Sequence, residues 1–113
     1  MIQILHNPRC SKSREGLQFL KSKDIQHEEI KYMDHPLTAQ EIKAIIKKLG
    51  LPAINLVRKK ETIYKQKYAG KELSDDEWAE VMAINPKLIE RPVVINGDRE
   101  VIGRPIENIG TIL

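Results

Sequence analysis

Ile2-Gln3-Ile4-Leu5-His6-Asn7-Pro8-Arg9-Cys10-Ser11-Lys12-Ser13-Arg14 runs from a short apolar stretch, past a proline, into a basic, hydroxyl-rich segment that holds the only cysteine of the chain. The apolar run predicts a strand, and Pro8 blocks its continuation, so Cys10 falls in a turn at the mouth of a helix starting near Ser11. A thiol there meets the open N–H groups and the positive end of the helix, both of which favour thiolate. Arg9, Lys12 and Arg14 add positive charge within a turn, and Ser13 can offer its hydroxyl to the sulfur, so the local sequence pushes the thiol pKa down. A lone cysteine is commonly a small buried hydrophobe, but one flanked by Arg, Ser, Lys, Ser and Arg has no apolar company.

Working outward, Ser11 to about Lys23 predicts the first helix, with Leu17 and Leu20 three apart and Phe19 beside them on a mixed face, and Gly16 weakening it slightly. Glu28–Tyr32 reads as a second strand, completing a βαβ unit whose strands should be parallel with a right-handed crossover. Thr38-Ala39-Gln40-Glu41 is a capping box ahead of the stripe Ile42, Ile45, Ile46 and Leu49, and Gly50 closes that helix. Pro52 opens a helical turn running into Leu56–Lys60, Thr62–Tyr68 forms a further short helix ended by Gly70, and Ser74-Asp75-Asp76-Glu77 caps another. Arg91–Ile95, the turn Asn96-Gly97-Asp98 and Glu100–Gly103 spell a β-hairpin, and Arg104-Pro105 opens the last helix. Periodicity alone defines an α/β chain with one sheet. The order β-α-β, helices, β-β-α with a thiol at the first strand-to-helix turn is a thioredoxin-like arrangement, with a helical insertion between the βαβ unit and the C-terminal hairpin plus helix.

The 113 residues, 41% of them apolar, predict a single domain spanning 1–113. A net charge of +3, with one Trp, three Tyr and one Phe and no basic stripe, suits small anions better than a nucleic-acid backbone. One cysteine forms no intramolecular disulfide, and no apolar run spans a bilayer, so the expectation is a cytoplasmic protein with neither nucleic acid nor membrane as partner. His6, His27 and His35 with one cysteine match no zinc spacing, so no metal is expected, and no glycine-rich phosphate loop is present. Too few residues separate Cys10 from Arg14 for a phosphatase loop. A dithiol oxidoreductase would need a cysteine where Ser13 stands, so the reductant for Cys10 must come from another molecule. Arg58, Arg91 and Arg104 each lie at a junction between elements, where sites in α/β folds gather, and arginine forks suit tetrahedral oxyanions. His6, four residues before Cys10, reads as a hydrogen-bonding scaffold rather than a base.

His6–Arg14 resembles the signature of the glutathione/glutaredoxin-coupled arsenate reductase (ArsC) family, thioredoxin-fold proteins, and Ser11-Lys12 resembles a chromosomal branch of it. Leu56-Val57-Arg58-Lys59, Glu90-Arg91-Pro92-Val93-Val94 and Ile102-Gly103-Arg104-Pro105-Ile106-Glu107 resemble three further blocks of that family. The resemblance implies a mixed four-stranded sheet, Cys10 as nucleophile, and Arg58, Arg91 and Arg104 as the oxyanion-binding trio. It implies that His6, Ser13 and Arg14 support the thiolate and that Pro92 is the cis-proline of the fold. Arsenate or a similar oxyanion would be substrate, glutathione a co-substrate with no bound cofactor, and glutaredoxin the protein partner. Two other readings of the same fold are a Spx-type transcriptional regulator binding RNA polymerase and a general monothiol oxidoreductase acting on glutathione mixed disulfides.

Overall fold

The computed structural model describes residues 2–113, which group into two compact units. The first takes in the chain up to His35 together with Arg91–Leu113, and the second is Pro36–Glu90.

In the first unit, β1 (Ile2–Leu5), α1 (Ser11–Ser22) and β2 (His27–Ile30) form the expected βαβ unit, with β1 and β2 parallel. β2 stops two residues short of the predicted end because the chain turns at Lys31, whose carbonyl accepts the Asp34 and His35 N–H groups. β3 (Val93–Asn96) pairs antiparallel with β1, and β4 (Arg99–Ile102) antiparallel with β3, giving a mixed sheet of order β2-β1-β3-β4. The hairpin loop is Gly97-Asp98 rather than a three-residue turn. Only its first residue, Gly97 at φ +62°, has a positive φ, the pattern of a type II′ turn, and Asn96 is the last residue of β3. The Asn96 side chain donates to the Ile112 carbonyl at 2.6 Å, tying the hairpin to the chain end.

The last helix, Ile106–Ile112, is a 3₁₀ helix with Pro105 just outside it. Three residues per turn put Ile106, Ile109 and Ile112 on one face, and that face joins Ile4, Leu20 and Val94 in the core of this unit.

In the second unit, α2 (Ala39–Leu49) and α3 (Asp75–Ile84) pack together. Both begin with the predicted capping boxes, Thr38 with Glu41 and Ser74 with Glu77, and Gly50 ends α2 at φ +67°. The turn after Pro52 is shorter than expected: a 3₁₀ helix covers Ala53–Leu56, and Val57 then leaves it for an isolated bridge to Ile89. Backbone groups on either side of the bridge bond across it, Arg58 N–H to the Leu88 carbonyl at 2.6 Å and Glu90 N–H to the Leu56 carbonyl at 2.7 Å, which draws the chain out of helix. Tyr64–Tyr68 is a π turn, closed by the Ala69 N–H on the Tyr64 carbonyl, and it sets both tyrosine rings against the buried Trp78.

Candidate functional site

β1 continues one bond past its end, the His6 N–H donating to the Ile30 carbonyl at 3.0 Å, and then Asn7-Pro8 turns the chain. Asn7 shapes that turn with both ends of its backbone and with its side chain. Its carbonyl accepts the Cys10 N–H at 3.0 Å, and its Oδ1 accepts the Arg9 N–H at 3.1 Å. Cys10 is thereby placed as the N-cap of α1, half-buried, with its carbonyl accepting the first helical bond from Arg14. By helix geometry the N–H groups of Ser11, Lys12 and Ser13 precede any intrahelical acceptor and leave positive potential beside the thiol.

Ser13 is 0% exposed, and its hydroxyl is an internal fastener. Oγ accepts the Asn7 N–H at 2.9 Å and lies 2.8 Å from His6 Nδ1, so the turn that carries Cys10 is locked to the first turn of its own helix. His6 is buried as well, and burial pushes its pKa below 6.5, with the nearby Glu29 carboxylate opposing that less strongly. At neutral pH the ring is uncharged, which fits a scaffold and not a charge partner for the sulfur. Arg14 lies on the outside of the same loop. Its side chain is exposed and donates Nη1 to the Pro8 carbonyl at 2.9 Å, bracing the loop from outside, so its support of the thiol is through the backbone.

A partner that reaches the sulfur comes from the far end of the chain. Arg104, just past β4, places Nη2 3.6 Å from Cys10 Sγ and donates Nε to the Arg91 carbonyl at 2.6 Å. The guanidinium is held on one side by backbone and points at the thiol on the other. Asn108 Nδ2 bonds the Ile102 and Arg104 carbonyls, both at 3.2 Å, fixing the segment from which Arg104 springs. Arg91 is 5% exposed and precedes Pro92 across a cis peptide bond; Arg104–Pro105 is also cis. Cys10, His6, Ser13, Arg14, Arg91, Pro92 and Arg104 therefore belong to one unit. Arg58 belongs to the other, half-buried after the Val57–Ile89 bridge with Nε 3.7 Å from Glu61 Oε1. Among the described residues no group of three His, Cys, Asp or Glu is placed to hold a metal ion, and no helix is long and apolar enough to cross a membrane.

Sequence reasoning gave no site role to Asn7, Asn108, Gly16 or Gly103. The Asn7-Pro8 dipeptide was the available signal for the first, since Asn before Pro initiates turns. For Gly16 the signal was a glycine inside a helical segment, and nothing in the local sequence marks Asn108 or Gly103.

Chemically, a thiol at a helix N-terminus with a guanidinium against its sulfur is arranged to hold negative charge on the sulfur and on an oxyanion beside it. The sheet order, with a thiol at its first strand-to-helix turn, defines a protein of thioredoxin-like fold. Within that class the chain belongs to the ArsC family, whose model matches residues 5–112. It is 41% identical over 114 residues to an "Arsenate reductase" of Neisseria meningitidis serogroup B, covering 99% of this chain and 97% of that one. It is also 41% identical over 110 residues to the "Uncharacterized protein YfgD" of Escherichia coli K12, covering 96% and 92%. Among solved structures, an arsenate reductase from Vibrio cholerae superposes with a TM-score of 0.93 at 41% identity, covering 99% of this chain and 97% of that one.

Proposed function

We propose that this protein reduces arsenate to arsenite through a covalent Cys10–arsenic adduct, with glutathione and glutaredoxin supplying the electrons. The observation that carries the reading is the Arg104 fork, anchored at Nε and set 3.6 Å from the sulfur at Nη2. Relatives 41% identical over nearly the whole chain are named arsenate reductases, which supplies the substrate.

In the first step the Cys10 thiolate attacks arsenic and an arsenate oxygen leaves as hydroxide or, protonated, as water, while arginine neutralises the oxyanion. Glutathione thiolate then attacks the adduct. Arsenic gains two electrons and departs as arsenite, and the two sulfurs that lost them become a Cys10–glutathione disulfide. Glutaredoxin takes the glutathionyl group and returns Cys10 to thiolate. Supporting an external reductant, Ser13 stands where a resolving cysteine would, and its oxygen is engaged by Asn7 and His6. By the family resemblance Arg91 joins Arg104 in binding the oxyanion.

The test is arsenate-dependent NADPH oxidation in the presence of glutathione, glutaredoxin and glutathione reductase. Turnover is expected with the wild-type chain and none with Cys10→Ser. NADPH loss that is independent of arsenate but dependent on a glutathione mixed disulfide would replace this reading with that of a monothiol oxidoreductase.

A further inference from the structure

Cys10 and Arg104 arrive from segments ninety-four residues apart, and their 3.6 Å contact depends on how α1 sits against the β3–β4 end of the sheet. At that junction stands Pro92, between two glycines. A Cβ on Gly16, inside α1, would lie 2.7 Å from Pro92 Cγ and 3.1 Å from Pro92 Cβ. A Cβ on Gly103 would lie 2.9 Å from Pro92 Cγ and 3.1 Å from the nearest side-chain atoms of Ile109. Neither glycine has a positive φ, so space and not backbone conformation calls for glycine at these positions. The opposing atom belongs to a ring and has no rotamer by which to swing aside.

We propose that Gly16 and Gly103 are positioning residues: by admitting Pro92 between them with no side chain of their own, they set the separation of the Cys10 sulfur from the Arg104 guanidinium. The path is continuous. Gly16 shares a rigid helix with the Cys10 cap, so a shift of α1 away from Pro92 carries the thiol with it. On the other side, the Pro92 carbonyl accepts the Gly103 N–H at 2.8 Å and the neighbouring Arg91 carbonyl accepts Arg104 Nε at 2.6 Å, so a displaced Pro92 moves the arginine's anchor. Gly16 is also buried in the middle of a helix, where glycine is otherwise unfavourable.

This inference rests on Cys10 and Arg104 forming the reactive pair, and its test needs no arsenate. Alkylation of Cys10 by iodoacetamide is followed against pH in the wild type, Gly16→Ala, Arg104→Ala and the double variant, each confirmed folded by circular dichroism. The expected result is several-fold slower alkylation of Gly16→Ala at pH 7, with the midpoint of the profile moved up. Arg104→Ala should cost much less in the Gly16→Ala background than in the wild type, because the contact it removes is already lost. An unchanged profile in Gly16→Ala, or effects of the two substitutions that multiply in full, would overturn the proposal. If Gly16→Ala does not fold, Pro92→Ala, which removes Cγ from between the glycines, takes its place in the same cycle with the same expectation and the same overturning results. Absence of arsenate turnover in the wild type overturns the proposed substrate and leaves the alkylation cycle to decide the clamp by itself.

Discussion

Ser13 does more at the site than its hydroxyl, read along the chain, promises. It receives the Asn7 N–H and bonds His6 Nδ1 while fully buried, so removing Oγ strands two polar groups in the interior. Ser13→Ala should therefore cost about 1–3 kcal/mol in urea unfolding, the desolvation penalty of the groups left behind. It should also disorder the turn that presents Cys10, to be read as faster amide exchange at Arg9 and Cys10. His6 sets a pH dependence of its own. Its folded pKa lies below the unfolded value of 6.5, so the native state binds fewer protons than the unfolded chain as pH falls through that value. Stability is fully present above pH 6.5 and is lost progressively below it until the folded pKa is reached. Urea midpoints for the wild type should fall from neutral pH to about pH 5.5, and those of His6→Gln should fall less over the same range. Equal slopes would remove His6 from the account.

At the scale of elements, α2 and α3 owe their starting points to two reciprocal capping boxes that are complete in the structure. Thr38→Ala leaves the Glu41 N–H without its side-chain acceptor and should lower stability by about 1 kcal/mol, measured by denaturant unfolding. Both boxes were legible because a cap is a local device, written within four residues. The departures elsewhere were equally physical. Val57 leaves its helical turn because Leu88 and Glu90, some thirty residues on, take the backbone bonds on either side of it. The final segment winds as 3₁₀ because its isoleucines fall three apart, at 106, 109 and 112, a spacing that was visible in the sequence and read only as generic helix. The hairpin was legible from Asn-Gly, but its two-residue loop begins one position later, since the pairing of Asn96 with Arg99 makes Gly97 the first loop residue.

For the whole molecule, the sheet register explains why distant residues meet. Leu5 lies opposite Val93, and Val93 opposite Ile102. The segments just after Leu5, just before Val93 and just after Ile102 therefore emerge at the same end of the sheet, and they carry Cys10, Arg91 and Arg104. Arg104→Ala should lower kcat/KM for arsenate by about 10²–10³, the loss typical of one oxyanion-stabilising donor, with the fold retained. Arg104→Lys should recover only part of it, because an ammonium cannot hold the Arg91 carbonyl and face the sulfur at once. Full recovery by lysine would mean that charge alone is required.

From the sequence by itself came the α/β class, the βαβ unit, the caps, the hairpin and a cysteine whose neighbours favour thiolate. All of these rest on interactions between residues a few positions apart, where spacing and residue type are sufficient. That Arg104 reaches the sulfur and that two glycines receive Pro92 were decided by the tertiary structure. Each depends on which strand ends lie side by side, and strand order is set by burial across the whole sheet, which no local pattern encodes.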